Sequence, residues 1–120
     1  MQKIPRSSFS KYRNVKPVIN GIKFDSAKEA RRYNELLLLE RAGEITGLQR
    51  QVKFCLIPSQ RRSDGKLERQ TDYIADFVYF EGKNRIVEDV KGYKKGNAYA
   101  LFVIKRKLML QNYSIEIKEV

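Results

Sequence analysis

The chain has 120 residues, 42% of them hydrophobic and 32% charged, which is a globular composition sufficient for one domain. It contains 25 lysine and arginine residues against 14 acidic ones, and the net charge of +11 indicates a polyanionic partner, most often nucleic acid. There is no histidine and a single cysteine, which excludes imidazole-based catalytic triads, histidine metal ligands, intrachain disulfides and cysteine zinc clusters. Any catalysis must therefore use carboxylates, lysines, hydroxyls or a bound metal ion.

The sequence shows neither a membrane-spanning segment nor a secretory signal. No apolar stretch approaches the roughly 20 residues that span a bilayer, and no apolar segment follows the basic N-terminus. We therefore expect a cytoplasmic protein without a membrane partner. Residues 1–16 form a basic arm without an acid, which is either a flexible tail that tracks DNA or a solvated leader, and residues 17–120 form a single domain.

The first predicted elements are a small hairpin and a helix. Residues 18–24 surround Asn20-Gly21, a dipeptide typical of two-residue hairpin turns. Ser26 is a good N-cap and Gly43 is a good residue to follow a helix C-terminus, so the two bracket a helix of about 16 residues.

The rest of the chain predicts four strands and a second helix. The elements are, in order, a strand at 49–57, a polar loop at 59–70 with a turn at Asp64-Gly65, strands at 73–80 and 85–91, a basic loop at 92–96, a second helix and a strand at 114–120. Asn97 can cap the second helix, which runs to about Gln111. Together with the first helix, the order is α-β-β-β-α-β, which predicts an α/β fold.

Two acids lie where exposure to solvent does not explain them. Asp76 is in the middle of an aromatic and β-branched strand, where an unpaired carboxylate is costly to bury. Asp89 lies at the end of the next strand, and period-two geometry points it to the same face as Lys91. A hairpin between these strands places Asp76 beside Asp89, and neighbouring carboxylates repel unless a cation lies between them. The pair therefore indicates a site for Mg²⁺ or Mn²⁺, with Lys91 beside the metal-bound water.

The spacing of an acid and a lysine does not identify this site by itself. An acid two residues before a lysine occurs four times, at Asp64, Glu81, Asp89 and Glu116. The first two lie in predicted turns, and Glu116 lies on the side of its strand opposite to the apolar residues. Only Asp89 follows an acid-bearing apolar strand through a short hairpin, so its context selects it.

A third acid, Glu29, has two interpretations. On a helical projection it shares the core-facing stripe with Tyr33, Leu36 and Leu37. It also completes the pattern Ser26-x-x-Glu29, a capping box, in which a glutamate is common for that reason alone. The residues themselves leave helix capping and a role in an active site equally open.

The element order and the triplet Asp76, Asp89 and Lys91 resemble the PD-(D/E)xK nuclease superfamily, which has the restriction-endonuclease-like fold. The resemblance covers almost the whole of the predicted domain and implies an αβββαβ core with a mixed sheet flanked by helices. The proline that usually precedes the first aspartate in this family is often replaced, and it is Ala75 here.

The run from Gly21 to Tyr33 resembles the first helix of small phage-encoded members, including endonucleases similar to Holliday-junction resolvases. In such members a glutamate on this helix, matching Glu29, completes the metal site with the two aspartates. The resemblance therefore implies that Asp76, Asp89 and Glu29 bind the metal, and it favours the active-site interpretation of Glu29.

Basic residues near the triplet extend the candidate site. In the resembled family the helix after the acid-x-Lys strand often supplies a polar side chain, and Lys105 is the candidate here. Alternatively, the Lys105 side chain extends to solvent. The neighbouring Arg106 also has apolar neighbours on the helix, so the helix face does not choose between Lys105 and Arg106. The candidate DNA-binding residues are Arg61, Arg62, Lys94, Lys95 and Arg106, of which the first two have the alternative role of keeping a loop soluble.

These observations predict a Mg²⁺-dependent or Mn²⁺-dependent DNA endonuclease. The second helix is apolar nearly all round, so it is either fully buried or shared with a second subunit in a homodimer. No dedicated base-reading module is evident, which favours cutting of branched or Holliday-junction DNA over recognition of a short sequence, by analogy with the resembled family. If the protein is phage-encoded, it acts in the host cytoplasm. The alternatives are a non-catalytic DNA-binding module on the same fold and a small RNA-binding or ribosome-associated protein.

Overall fold

The structure is a computed structural model that describes residues 15–92 and 94–120. Its strands are β1 (Val18–Ile19), β2 (Ile22–Lys23), β3 (Thr46–Ile57), β4 (Gln60–Arg61), β5 (Leu67–Glu68), β6 (Thr71–Glu81), β7 (Asn84–Asp89) and β8 (Lys118–Glu119). Its helices are α1 (Ala27–Arg41) and α2 (Gly96–Tyr113).

A four-stranded mixed sheet in the order β3-β6-β7-β8 forms the centre of the fold. Strand β6 pairs antiparallel with both β3 and β7, whereas β8 lies parallel to β7. Parallel neighbours need a crossover connection, and α2 is part of the one between β7 and β8. The predicted α/β class is confirmed, and the main elements occur in the predicted order: α1, β3, β6, β7, α2 and β8.

Helix α1 begins and ends where its sequence predicts. The Oγ atom of Ser26 accepts a hydrogen bond from the backbone N–H of Glu29 at 3.1 Å, as expected of an N-cap. Gly43 follows the C-cap residue Ala42 and has a φ of +81°, a left-handed angle that glycine adopts without a steric penalty.

Helix α2 differs from its prediction at the N-terminus. It begins at Gly96, and the N-cap residue Lys95 makes no side-chain capping bond, so the prediction that Asn97 caps the helix is wrong. The left-handed backbone of Gly96, with φ +84°, turns the chain into the helix before Asn97 is reached. The helix continues to Tyr113 and ends at Ser114, which is also left-handed.

Two small hairpins flank the main sheet. Strands β1 and β2 are joined by Asn20 and Gly21, with φ angles of +53° and +79°, which confirms the predicted turn. Part of the predicted polar loop at 59–70 forms a second hairpin, β4–β5, around Gly65. The predicted last strand at 114–120 is reduced to the two residues of β8.

Each face of the sheet carries its own hydrophobic cluster. On one face, Leu36 of α1 packs with Phe77 and Tyr79 of β6. On the other face, Met109 of α2 packs in a cluster that includes Val78. Because successive strand residues point to opposite faces, β6 is buried on both sides along this stretch.

The alternation of side chains along β6 reverses at Asp76. Before it, Tyr73 and Ala75 belong to the cluster under α2. After it, Phe77 and Tyr79 belong to the cluster under α1, although period-two geometry would keep all four on one face. Asp76 therefore lies at the point where the odd-numbered residues of β6 change from the cluster under α2 to the cluster under α1.

Strand β3 reverses its alternation at the matching position. Leu48 belongs to the α1 cluster, whereas Val52 and Phe54 belong to the α2 cluster. Gln51 lies between them and has a φ of +52°. The register of β3 with β6 is the same immediately before and after this point, so Gln51 lies opposite Asp76 in the ladder.

Helix α2 is not fully buried. Leu101, Ile104 and Leu110 are each more than half exposed, so the first of the two alternatives for this helix is wrong and a homodimer contact stays a prediction. Across the described ranges, no helix has both the length and the apolar character needed to cross a membrane.

Candidate metal and active site

Asp76 and Asp89 lie opposite each other on neighbouring strands. The ladder ends with Phe77 of β6 paired to Glu88 of β7, and the same register continued by one residue places Asp76 across from Asp89. The Oδ2 atom of Asp76 also accepts a hydrogen bond from the backbone N–H of Val90 at 2.8 Å. The hairpin thus brings together the two carboxylates that the sequence predicts to be neighbours.

Asp89 is buried and paired with Lys91. The hydroxyl of Tyr73 donates to Oδ1 of Asp89 at 3.0 Å, and Nζ of Lys91 forms an ion pair with Oδ2. Oδ2 is shielded from solvent and receives no hydrogen bond of good geometry. Nζ of Lys91 also lies 3.6 Å from the ring centre of Phe102, within range of a cation–π contact. Asp89 and Lys91 therefore share one face, as predicted.

Glu29 is connected to the aspartate pair through Gln51. This residue is 4% exposed, and its Oε2 atom accepts a hydrogen bond from Nε2 of Gln51 at 3.3 Å. The same Nε2 atom donates to Oδ1 of Asp76 at 3.4 Å, and a guanidinium nitrogen of Arg50 lies 3.8 Å from the Glu29 carboxylate. The Ser26 half of the predicted capping box is present, while the Glu29 carboxylate is directed toward Gln51 of β3; its role in an active site stays a prediction.

Negative charge is crowded at this end of the sheet. Burial and then the charge of Asp76 raise the pKa of Glu29 from 4.5 to about 6, against a smaller lowering by Arg50. Burial likewise raises the pKa of Asp76 from 3.8 to about 6, with a further rise from Asp89 and a partial offset from the Val90 N–H. A cation that binds here relieves this crowding.

The structure separates the roles of Lys105 and Arg106. Lys105 lines a pocket of about 300 Å³ together with Asp89 and Lys91. Arg106 instead donates from Nη1 to Oε2 of Glu119 at 2.8 Å, and this bond raises the pKa of its guanidinium group. Of these two basic residues of α2, Lys105 is therefore the one that lines a pocket with Asp89 and Lys91.

The other basic candidates lie on exposed segments. Arg61 and Arg62 are on the β4–β5 hairpin, where Arg61 donates to a carbonyl of its own turn at 3.0 Å. Lys95 is exposed at the start of α2, and Nζ of Lys94 lies 3.6 Å from Glu119. Of the predicted basic arm, residues 1–14 lie outside the described residues, as does Tyr93 in the basic loop.

Glu88 is a buried acid whose role sequence reasoning missed. It has no exposed surface, and Arg32 of α1 donates from Nε and Nη2 to its two carboxylate oxygens at 2.8 and 2.6 Å. The Tyr79 hydroxyl donates to it as well. Burial opposes ionisation, but the bonds from Arg32 and Tyr79 outweigh it and lower the Glu88 pKa. The alternation of side chains along a strand offered one signal, because it places Glu88 on the face of the sheet opposite Asp89 and therefore away from the predicted site.

The donor set fits one hard cation held by two carboxylates. Within residues 15–92 and 94–120, no group of three or more His, Cys, Asp and Glu side chains is arranged to hold a metal ion. Asp76 and Asp89 are adjacent, but Gln51 stands between Asp76 and Glu29. Mg²⁺ is commonly bound through one or two carboxylates with waters and phosphates, and the Oδ2 atom of Asp89 is ion-paired with Lys91 but receives no hydrogen bond of good geometry. These residues are therefore suited to a site that is completed by water and an anionic substrate.

Taken together, the chain is an α/β protein with a carboxylate pair, an adjacent lysine and a large positive charge. It belongs to the family described as protein of unknown function (DUF1064), whose sequence model matches residues 9–119. No curated protein and no solved structure matches the chain. The family description assigns no activity, so function has to be inferred from the site.

Proposed function

We propose that this protein is a metal-dependent DNA endonuclease that hydrolyses phosphodiester bonds, on a fold of the restriction-endonuclease-like PD-(D/E)xK type. The observation that carries the proposal is the opposition of Asp76 and Asp89, with Lys91 paired to Asp89, in a chain of net charge +11. A protein that only binds polyanions gains nothing from partly buried carboxylates, because they repel phosphate. A divalent cation converts the same carboxylates into a phosphate-binding site.

Asp76 and Asp89 would hold Mg²⁺ or Mn²⁺, and Glu29 would support them from α1. When bound, the metal supplies charge neutralisation and a more acidic water molecule. Lys91 and Lys105 line the same pocket as Asp89, and their ammonium groups can donate hydrogen bonds to the oxygens of a phosphate in that pocket. The ion pair with Asp89 and the Phe102 ring hold the Lys91 ammonium group at this edge in advance of substrate.

The proposed substrate is branched DNA, such as a Holliday junction, in phage-type recombination, repair or replication. The exposed basic residues contact phosphates without reading bases, which suits selection by shape; they are Arg61, Arg62, Lys94 and Lys95. Arg106 joins them only if DNA competes with Glu119 for its guanidinium group. A homodimer through the exposed apolar residues of α2 would supply two sites for paired cuts.

The test is a cleavage assay with matched acid variants. Asp89→Asn removes the proposed metal ligand, and Glu116→Gln alters an exposed acid that also precedes a lysine by two residues. Each protein is incubated with a four-way junction, linear duplex and single-stranded DNA in Mg²⁺, Mn²⁺ or EDTA. We expect metal-dependent cutting by the wild type and Glu116→Gln, and a loss in Asp89→Asn exceeding the roughly 10–100-fold typical of changes outside the ligand shell.

DNA binding in EDTA separates the remaining outcomes. A gel-shift measurement should show that Asp89→Asn binds DNA at least as tightly as the wild type, because a negative charge has been removed. Tight binding with no cutting under either metal would overturn the enzyme proposal and leave a non-catalytic DNA-binding module. Selective binding of RNA would instead favour the RNA-binding alternative.

A further inference from the structure

Gln51 has a backbone conformation that its position in a strand does not explain. Its φ is +52°, a left-handed angle that is strained for side chains other than glycine, asparagine and aspartate. The other non-glycine residues with such angles in the described ranges are Asn20, in a hairpin turn, and Ser114, at a helix C-cap. Both are places where left-handed backbone is usual, whereas Gln51 is in the middle of the twelve-residue strand β3.

This conformation directs two consecutive side chains to one carboxylate. Neighbouring residues of a regular strand point to opposite faces of the sheet. Here a guanidinium nitrogen of Arg50 and the amide nitrogen of Gln51 both approach Oε2 of Glu29, at 3.8 and 3.3 Å. The left-handed angle at Gln51 accounts for this departure from alternation.

The side-chain amide of Gln51 also donates hydrogen bonds to two acids. Its Nε2 atom carries two protons and donates to Oε2 of Glu29 and to Oδ1 of Asp76. Two carboxylates on either side select the NH₂ end of the amide, because the carbonyl end would repel both. A leucine of similar size has no group that can donate to either acid.

We propose that Gln51 is a positioning residue, whose amide ties Asp76 of β6 to Glu29 of α1 and so fixes the Asp76 carboxylate that, with Asp89, would hold one divalent cation. The inference rests on the proposed function, since it assigns these acids to a cation site. The strained backbone persists because it delivers the amide to this position.

The test compares Gln51→Gly with Gln51→Leu. Both variants lose the amide, but glycine relieves the backbone strain while leucine retains it. Binding of Mn²⁺ alone, measured by electron paramagnetic resonance or calorimetry without DNA, should weaken in both variants by roughly 10–100-fold. Urea unfolding should instead distinguish the two variants. The glycine variant should be more stable than the leucine variant, by roughly tenfold in the unfolding equilibrium constant.

The exposed residue Gln49, two positions earlier in β3, provides the control. Gln49→Gly should leave Mn²⁺ binding unchanged and should be less stable than Gln49→Leu, because this residue lacks a left-handed angle. Unchanged Mn²⁺ affinity in both Gln51 variants would overturn the proposal. A loss of affinity in Gln51→Leu alone would also overturn it, since strain and not the amide would then be responsible.

A third measurement applies even if the wild type binds no Mn²⁺, a result that would count against the proposed function. The side-chain NH₂ signals of Gln51 in a ¹⁵N–¹H spectrum should shift in both Glu29→Gln and Asp76→Asn. They should not shift in Glu35→Gln, an exposed acid on the same helix that pairs with Arg32. The absence of a shift in either of the first two variants would show that Gln51 does not bridge the two acids.

Discussion

The buried ion pair between Arg32 and Glu88 provides a quantitative test of how α1 is attached to the sheet. Glu88 has no exposed surface, and the guanidinium group of Arg32 contacts both of its oxygens. The substitution Arg32→Met keeps much of the apolar stem and leaves the carboxylate buried without its cation. Removal of one partner of such a pair costs about 3–5 kcal/mol. That loss is a large part of the roughly 5–15 kcal/mol that stabilises a typical domain.

The effect should depend on pH with a defined sign. In the wild type, burial opposes ionisation of Glu88 but Arg32 and Tyr79 outweigh it, so the folded-state pKa lies below the ordinary value of 4.5. The pair therefore stabilises the fold above the unfolded-state pKa, and this stability is lost as pH falls through the folded-state pKa. Without Arg32, burial should raise the folded-state pKa. The penalty of the variant is then complete at pH 7 and smaller near pH 4.

The assay is urea unfolding followed by circular dichroism at pH 7 and pH 4. Arg31→Met is the control, because Arg31 is exposed on the neighbouring turn of the same helix. The double variant Arg32→Met/Glu88→Gln removes the orphaned charge and should recover part of the loss at pH 7. A loss below about 1 kcal/mol at pH 7, or an equal loss at both pH values, would refute this account of the pair.

Three further predictions concern stability, each measured by urea unfolding. Asp76→Asn should stabilise the protein in EDTA at pH 7 by about 1 kcal/mol after allowance for solvent screening, because burial raises the Asp76 pKa above its unfolded value of 3.8. That penalty is present above pH 6 and absent below the unfolded-state pKa, so a gain that persists at pH 3 would contradict it. Ser26→Ala should cost about 1 kcal/mol through the lost N-cap, whereas Ser63→Ala in an exposed turn should change little. Gly21→Ala should cost about 1–2 kcal/mol because of its φ of +79°, whereas Gly92→Ala, which has open space around the Cβ position, should be nearly neutral.

Local signals account for the parts of the fold that the sequence predicts well. The cap at Ser26, the left-handed Gly43 and the Asn20-Gly21 turn each depend on residues within a few positions of one another. The start of α2 was missed because it depends on the left-handed backbone of Gly96. The β4–β5 hairpin was missed because its strands are exposed and carry no apolar pattern.

The candidate site divides in the same way. Asp76, Asp89 and Lys91 could be placed together because strand pairing and period two suffice. The ion pair of Glu88 could not be predicted, because its partner Arg32 lies 56 residues away in the sequence. Residue type alone also does not distinguish the role of Glu88 from that of the adjacent Asp89. The left-handed backbone at Gln51 could not be predicted either, because glutamine is not a residue type that favours this conformation.

The contacts of α1 connect the buried ion pair with the candidate site. Lys28 donates from Nζ to the carbonyl of Lys91 at 2.6 Å, Glu29 accepts from Gln51, and Arg32 binds Glu88. These three helix positions lie within about one and a half turns, and their partners lie on β3 and at the end of β7, on either side of β6.

The hydrophobic effect is non-directional, whereas a bidentate ion pair requires a defined geometry. We therefore expect the Arg32 pair to restrict the rotation of α1, and with it the movement of Glu29 relative to Asp76. Mn²⁺ affinity and DNA cleavage should consequently fall in Arg32→Met by more than the loss of folded protein explains. A fall that matches the folded fraction would show that apolar packing alone positions the helix.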